Sequence, residues 1–306
     1  MGLFNAIFST SFGFAVLRVT TPIIFAALAA LITNKAGVMN IALEGIMLMS
    51  AFFGAIVSSY TQSALLGVLV AMLAGVCVAM IMAGFAFKMK ADLILTGIAL
   101  NTFASGATVF LLYVICNDKA STSNLPSCNV PAIDIPIIQN IPVIGEIFSG
   151  HNLLTYLAFV SVYIVYILVY KTSLGLRIRA VGENPDAARS VGINVVNIQF
   201  AALFLSGIFA GLGGAFMSMG YMSFFSRDMV AGRGFIALAA QNMGGAAPLG
   251  TLIASLIFGM ADALSNMLQT LRVPAEVVQM QPYLLTIVGL VIYAVSTGKK
   301  KKSKAD

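Results

Sequence analysis

Charge is scarce in this sequence: 9% of its 306 residues are Asp, Glu, Lys or Arg, against 59% hydrophobic. Such a chain has too little polar surface for a soluble globular domain, and apolar runs long enough to cross a bilayer as helices recur from end to end. Histidine is nearly absent; with His151 alone and no His-Glu-x-x-His, neither a His-based metal site nor His catalysis is expected. No Gly-x-x-x-x-Gly-Lys-Ser/Thr occurs, so the chain does not bind ATP through a P-loop. The three cysteines lie too far apart for metal-ligand spacing. Cys77 falls inside an apolar run, while Cys116 and Cys128 bracket the start of the longest loop, where they either pair or stay as free thiols. Nothing here reads as an enzyme. No Lys or Arg precedes Arg18 and no small-residue cleavage site is evident, so the N-terminus is not read as a removable signal peptide.

What charge there is sits in two places. The net charge of +6 is carried largely by Lys299, Lys300, Lys301, Lys302 and Lys304, in the tail 298–306. That argues against a nucleic-acid surface and for a cytoplasmic tail that fixes topology or touches anionic lipid. The second place is Lys171 to Val195, KTSLGLRIRAVGENPDAARSVGINV, flanked on both sides by apolar spans and therefore a cytoplasmic loop (171–198). Inside it Asn184 reads as an N-cap, Pro185 as the first helical position, Asp186 as a first-turn acid and Gly192 as the stop. Asp186 and Arg189 match the helix dipole. The helix is too short to hold its shape alone, and it carries Ala187, Ala188 and Val191 with nothing in their own loop to bury them. It reads as a docking knob for another protein.

The fold class predicted is an all-α polytopic membrane protein, a single domain over residues 1–306 with about nine crossings (eight to ten) and the N-terminus outside. Residues 3–17 lie in the interface or begin the first crossing, and Thr20-Thr21-Pro22 opens a helix to about Ile32. Spans follow at 36–59, 64–87, 92–115, 152–170 and 199–222, the last with Gly207, Gly211 and Gly214 as a close-approach stripe. Residues 116–151, with Pro126, Pro131, Pro136 and Pro142, form an external loop. Beyond 222 come a short run at 234–247, then 249–269 after Pro248, then 282–297. Because loop 171–198 and the Lys tail belong on one side, an even number of passes separates them, and the short run must count as one. Short, Gly/Pro-interrupted segments are also where broken or half-helices occur.

Polar groups inside such spans are costly and need a partner or a cavity. Asn40 and Glu44, four apart, predict one helical face; Asn101 with Thr102, Gln241 with Asn242, and the series Asp262, Asn266 and Gln269 are the other candidates. They line a substrate pathway or bond neighbouring helices together. Asp92 beside Lys88 and Lys90 reads as a helix-end ion pair, Arg18 as a snorkelling residue, and Arg227, Asp228 and Arg233 as an external turn. From the residues alone an ion- or proton-coupled carrier with Glu44 as the titrating group stays open.

GLRIRAVGENPDAARSVGINV (175–195) resembles the cytoplasmic loop signature of ATP-binding-cassette importer permeases related to the ribose permease, and AGVMNIALEGIMLMSAF (36–52) resembles the second-helix motif of their nucleoside branch. LTGIALNTFASG (95–106), SGIFAGLGGAF (206–216), AGRGFIALAA (231–240) and Pro282-Tyr283 fit in order; Gln241-Asn242-Met243-Gly244-Gly245-Ala246 departs from the pattern. A flavin-transporting branch shares much of it. The resemblance implies a nucleoside importer, purines preferred, working by alternating access in the bacterial inner membrane. It also implies ATPase subunits, a second permease chain and an external lipoprotein, with no cofactor on this chain and ATP hydrolysed by the partner. Riboflavin or a simple sugar is the alternative substrate. Under this resemblance the helix at 185–191 sits in an ATPase groove, oriented by Arg177, Arg179, Glu183 and Arg189. The substrate then passes near Asn40, Glu44, Asn101, Gln241 and Asn242.

Overall fold

The computed structural model describes residues 9–134 and 144–269. Residues 3–8, the expected span 282–297 with Pro282-Tyr283 and the Lys tail fall outside the described residues. The elements are α1 (Thr10–Lys35), α2 (Leu43–Thr61), α3 (Ala64–Ala83), α4 (Leu93–Cys116), β1 (Ala132–Ile133), α5 (Ile144–Phe148), β2 (His151–Asn152), α6 (Leu153–Lys171), α7 (Ser173–Glu183), α8 (Pro185–Ser190), α9 (Val195–Phe216), α10 (Arg233–Met243) and α11 (Pro248–Gln269). Single π-helical turns extend α3 over Gly84–Lys88 and α9 over Met217–Tyr221. Among the described residues seven helices are long and apolar enough to cross a membrane: α1, α2, α3, α4, α6, α9 and α11. The all-α multi-pass fold is as expected.

α1 is the central post, buried along nearly its whole length from Val16 to Thr33, with α9, α11, α10 and α6 packed round it. It does not begin at Thr20-Thr21-Pro22. Ser9 caps it, and it runs through Pro22, where the Thr20 and Thr21 hydroxyls bond back to the Val16 and Leu17 carbonyls. α9 crosses α3 and α2 closely: added Cβ atoms at Gly207 and Gly211 would lie 2.7 and 2.8 Å from the α3 backbone, and Gly214 meets Met47 of α2. Lys35, Lys88, Lys90, Lys171, Arg177, Arg179 and Arg189 gather at one end of the bundle, with Lys119 and Arg227 at the other, which makes the first end cytoplasmic.

Asp92 forms no ion pair with Lys88 or Lys90; its carboxylate caps α4, accepting from Ile94 N and Leu95 N at 2.9 Å. Cys77, Cys116 and Cys128 are all free. At the outer end, the described part of loop 116–151 folds onto the bundle through Thr122–Phe225, Ser58–Cys128 and Val130–Met219 hydrogen bonds.

His151 fastens the same cap. It is 2% exposed, stacked on Phe14 at 4.0 Å, with Nε2 2.8 Å from the Ile147 carbonyl. Burial pushes its pKa below the ordinary 6.5, and the Arg18 charge pushes the same way, against the Ile147 bond. Unfolded, the ring takes up a proton first as pH falls, so its stabilisation is full above the ordinary value and is lost as pH drops toward the folded one. The melting temperature of the detergent-purified protein should therefore fall more between about pH 7.5 and pH 5.5 than that of His151→Phe. Parallel curves would exclude this role.

Candidate functional site

The site is built on two interrupted helices meeting at mid-membrane. After Lys35 the chain runs without helix from residue 36 to 42 before α2 starts at Leu43. Asn40 in this lead donates to Ser206 Oγ at 3.0 Å. Ser206 lies eleven residues into α9 from Val195, roughly 16 Å above the cytoplasmic end at 1.5 Å per residue. The lead thus climbs through the inner half of the bilayer as irregular backbone, which is tolerated there only when protein or a wet cavity satisfies it. Side chains do so. Asn101 of α4 donates to the Ile41 carbonyl (2.9 Å) and accepts from Gly45 N (2.8 Å), while Asn40 Oδ1 accepts from Ala42 N (3.2 Å). Asn40 and Glu44 therefore do not share a helical face as expected: Asn40 precedes the helix and Glu44 stands in its first turn.

α10 supplies the other break. Residues 222–232 descend from the outer cap without helix, and α10 then has 11 residues, about 16 Å, to reach the cytoplasmic side. Its N-terminus opens onto Glu44, whose carboxylate accepts from Gly232 N at 2.7 Å and Gly234 N at 2.8 Å. Free N–H groups and the helix dipole make this mouth an anion site, and the protein fills it with its own carboxylate. Gly234 has to be glycine, because a Cβ there would stand 2.6 Å from Glu44 N, and Gly232 adopts φ +82°.

Arg233 is not in an external turn with Arg227. It points inward and pairs with Asp262 of α11 at 3.0 Å, both side chains nearly buried (12% and 14% exposed). Arg227 and Asp228 do pair externally, at 3.3 Å, and Asp228 also accepts from Ser105 of α4 at 2.8 Å. On α4, the half-buried Asn101 and Ser105 turn toward the α2 lead and Asp228, and the exposed Thr102 returns its hydroxyl to the Ile98 carbonyl. Of the five expected pathway residues, Asn40, Glu44 and Asn101 meet at the double break. Gln241, buried, and Asn242, exposed, lie eight and nine residues down α10, roughly 12 Å nearer the cytoplasm. Asp262, one of the candidate polar groups, joins the cluster through Arg233; Arg233 and the flanking Gly232 and Gly234 also belong to it, and the Gly-Arg-Gly triplet inside an apolar run was the sequence signal for them.

The cytoplasmic segment is two helices, since Ser173–Glu183 forms α7 before the predicted one. Asn184 caps α8, its Oδ1 accepting from Asp186 N and Ala187 N at 3.1 and 3.0 Å, and Gly192 (φ +83°) ends the turn. Asp186 and Arg189 pair at 2.8 Å on the surface, a contact worth little in water. Ala188 is not presented outward: it is 4% exposed, turned in where α8 meets α7 and α9. Ala187 and Val191, the latter 74% exposed, form the outward apolar tip. Arg177 and Glu183 are exposed, whereas Arg179 lies over the Tyr170 ring at 5.1 Å.

A bundle of apolar spanning helices with paired helix breaks at mid-membrane and a capped helical knob below is the architecture of a multi-pass transport permease. The family described as branched-chain amino acid transport system / permease component matches residues 13–296, and the chain belongs to it. It is 37% identical to the guanosine ABC transporter permease protein NupQ of Bacillus subtilis, over 90% of this chain and 89% of that one. It is 34% identical to the nucleoside ABC transporter permease protein NupC of Lactococcus lactis, over 94% and 92%. It is 31% identical to the protein named "Putative glucose ABC transporter permease protein TsgC13" of Haloferax volcanii, over 86% and 79%.

Replacing Glu44 with Ala strands the Gly232 and Gly234 N–H groups inside the bundle, and a stranded group costs about 1–3 kcal/mol. Glu44→Gln keeps an acceptor oxygen. Thermal unfolding in micelles should rank wild type above Glu44→Gln above Glu44→Ala, and equal melting of all three would remove the carboxylate from this role.

Proposed function

We propose that the chain is a membrane-spanning subunit of an ATP-driven importer of nucleosides, purines preferred, in a bacterial inner membrane. The observation that carries this reading is the 37% and 34% identity to guanosine and nucleoside permeases across about nine-tenths of each chain. The double break fits it: neutral amide, hydroxyl and backbone groups near Asn40, Glu44 and Asn101 match a ligand rich in hydrogen-bonding edges. A second permease chain packs beside α4, next to the half-buried Asn101 and Ser105, and the substrate passes between the two. Gln241 and Asn242 stand at the inner end of that path. An external lipoprotein delivers the substrate. An ATPase hydrolyses ATP and grips α8, so this chain binds no cofactor.

Uptake of labelled guanosine by a strain lacking the chain, restored by its expression and competed by unlabelled guanosine but not riboflavin, ribose or glucose, is the expected result. Competition by glucose alone would move the assignment to a sugar, the reading the 31% identity to a glucose permease favours. Persistence without the ATPase and collapse on dissipating the proton gradient would replace it with an ion-coupled carrier.

Coupling is tested at Val191 rather than at Ala188, where a large side chain would disturb the loop itself. Val191→Glu should insert normally and lose substrate-stimulated ATP hydrolysis by about tenfold or more, as expected for a charge placed in an apolar contact. Full stimulation would detach this tip from the ATPase.

A further inference from the structure

Arg177 and Arg179 are two residues apart in α7 and so project about 200° apart. Arg177 faces the tip of the loop, beside Val191 and Gly192. Arg179 faces the other way, into a cavity of about 560 Å³ with Lys35, Asn34, Tyr170, Leu176 and Glu183 on its walls. Lys35 ends α1, and Tyr170 is next to the end of α6, so the cavity opens where two spanning helices leave the hydrocarbon. Its two cations are not neutralised. Among the described residues neither Lys35 nor Arg179 enters an ion pair, Glu183 pairs with neither, and Arg179 Nε is buried without a hydrogen-bond partner. The guanidinium is held in place by the Tyr170 ring, and Leu176, 60% exposed, gives the wall an apolar edge. Two unpaired cations, one of them held by an aromatic ring, beside an apolar edge at the membrane boundary match a phosphate carried on an acyl chain.

We infer that this cavity binds a phosphate-bearing anion, in the form of an anionic phospholipid headgroup of the cytoplasmic leaflet, held by Lys35 and Arg179. The site is separate from the substrate path and from the ATPase-facing tip, and does not depend on what is transported. Because α7 leads directly into α8, an occupied site braces the base on which the docking knob is mounted.

The test is native mass spectrometry of the full chain released from mild detergent and titrated with phosphatidylglycerol, zwitterionic phosphatidylcholine or inorganic phosphate. Wild type should retain phosphatidylglycerol over phosphatidylcholine, and the Lys35→Gln/Arg179→Gln double variant should retain about tenfold less of it. Arg177→Gln should match wild type, and Arg179→Lys should keep most of the binding. Should the double variant fail to elute as a single folded species, each single Gln variant should still lose about threefold. Displacement of the lipid by inorganic phosphate would keep the anion site and assign it to a soluble phosphate; retention against phosphate assigns it to lipid. Equal retention of the two lipids by wild type, or of phosphatidylglycerol by wild type and folded variants, overturns the site.

Discussion

Inside a bilayer an interrupted helix has no water to complete its hydrogen bonds, and this governs the centre of the molecule. Two interruptions face each other: the lead before α2 and the mouth of α10. Each is satisfied by side chains sent from elsewhere. Asn101 spans the first by donating to Ile41 and accepting from Gly45, and Glu44 closes the second by accepting from Gly232 and Gly234. The two repairs are linked because Gly45 and Glu44 are neighbours in one helical turn. Movement of α10 therefore bears directly on the start of α2, and through Asn101 on α4.

A cluster of this kind is hard to place from sequence, for a definite reason. Residues 36–59 contain no proline and are apolar but for Asn40, Glu44 and a few serines, so helical periodicity extends naturally to Asn40. What stops the helix at Leu43 is tertiary: Ser206 takes the Asn40 amide, and Asn101 takes the Ile41 carbonyl that a longer helix would have used. The opposite error occurs at Pro22, where a strong local signal for a helix start is overridden by packing, because α1 is sheltered on all sides and its threonine hydroxyls bond backbone carbonyls. Spans with a plain lipid-facing side, such as α3, α4 and α6, were legible to within a few residues because nothing competes with their hydrophobicity. The residues at the break were legible as costly polar groups, but their geometry was not.

The cytoplasmic loop divides along similar lines. Its caps are local, and Asn184, Pro185 and Gly192 do what their chemistry dictates. Which small side chain points outward is not local, because α7 beneath α8 decides it. Ala188 turns in and Val191 turns out, so the loop keeps part of its own apolar surface and offers only the tip. The same helix sends Arg177 toward that tip and Arg179 toward the membrane, so a single basic cluster in the sequence becomes two surfaces in space.

If the proposed pathway runs through the double break, the charges there constrain what can pass. Asp262 already pairs with Arg233, and the anion site made by the mouth of α10 holds Glu44. An anionic ligand entering here would have to expel an internal carboxylate from its two N–H donors, and Arg233 and Arg227, the cations described around the break, are already paired with Asp262 and Asp228. A neutral ligand faces neither obstacle. It can exchange hydrogen bonds with amides and hydroxyls such as Asn101 and Ser105 while the carboxylate keeps the half-helix in place. On the pathway proposed above, the internal carboxylate works as a charge filter as well as a structural plug, which suits a neutral, polar solute better than its phosphorylated form.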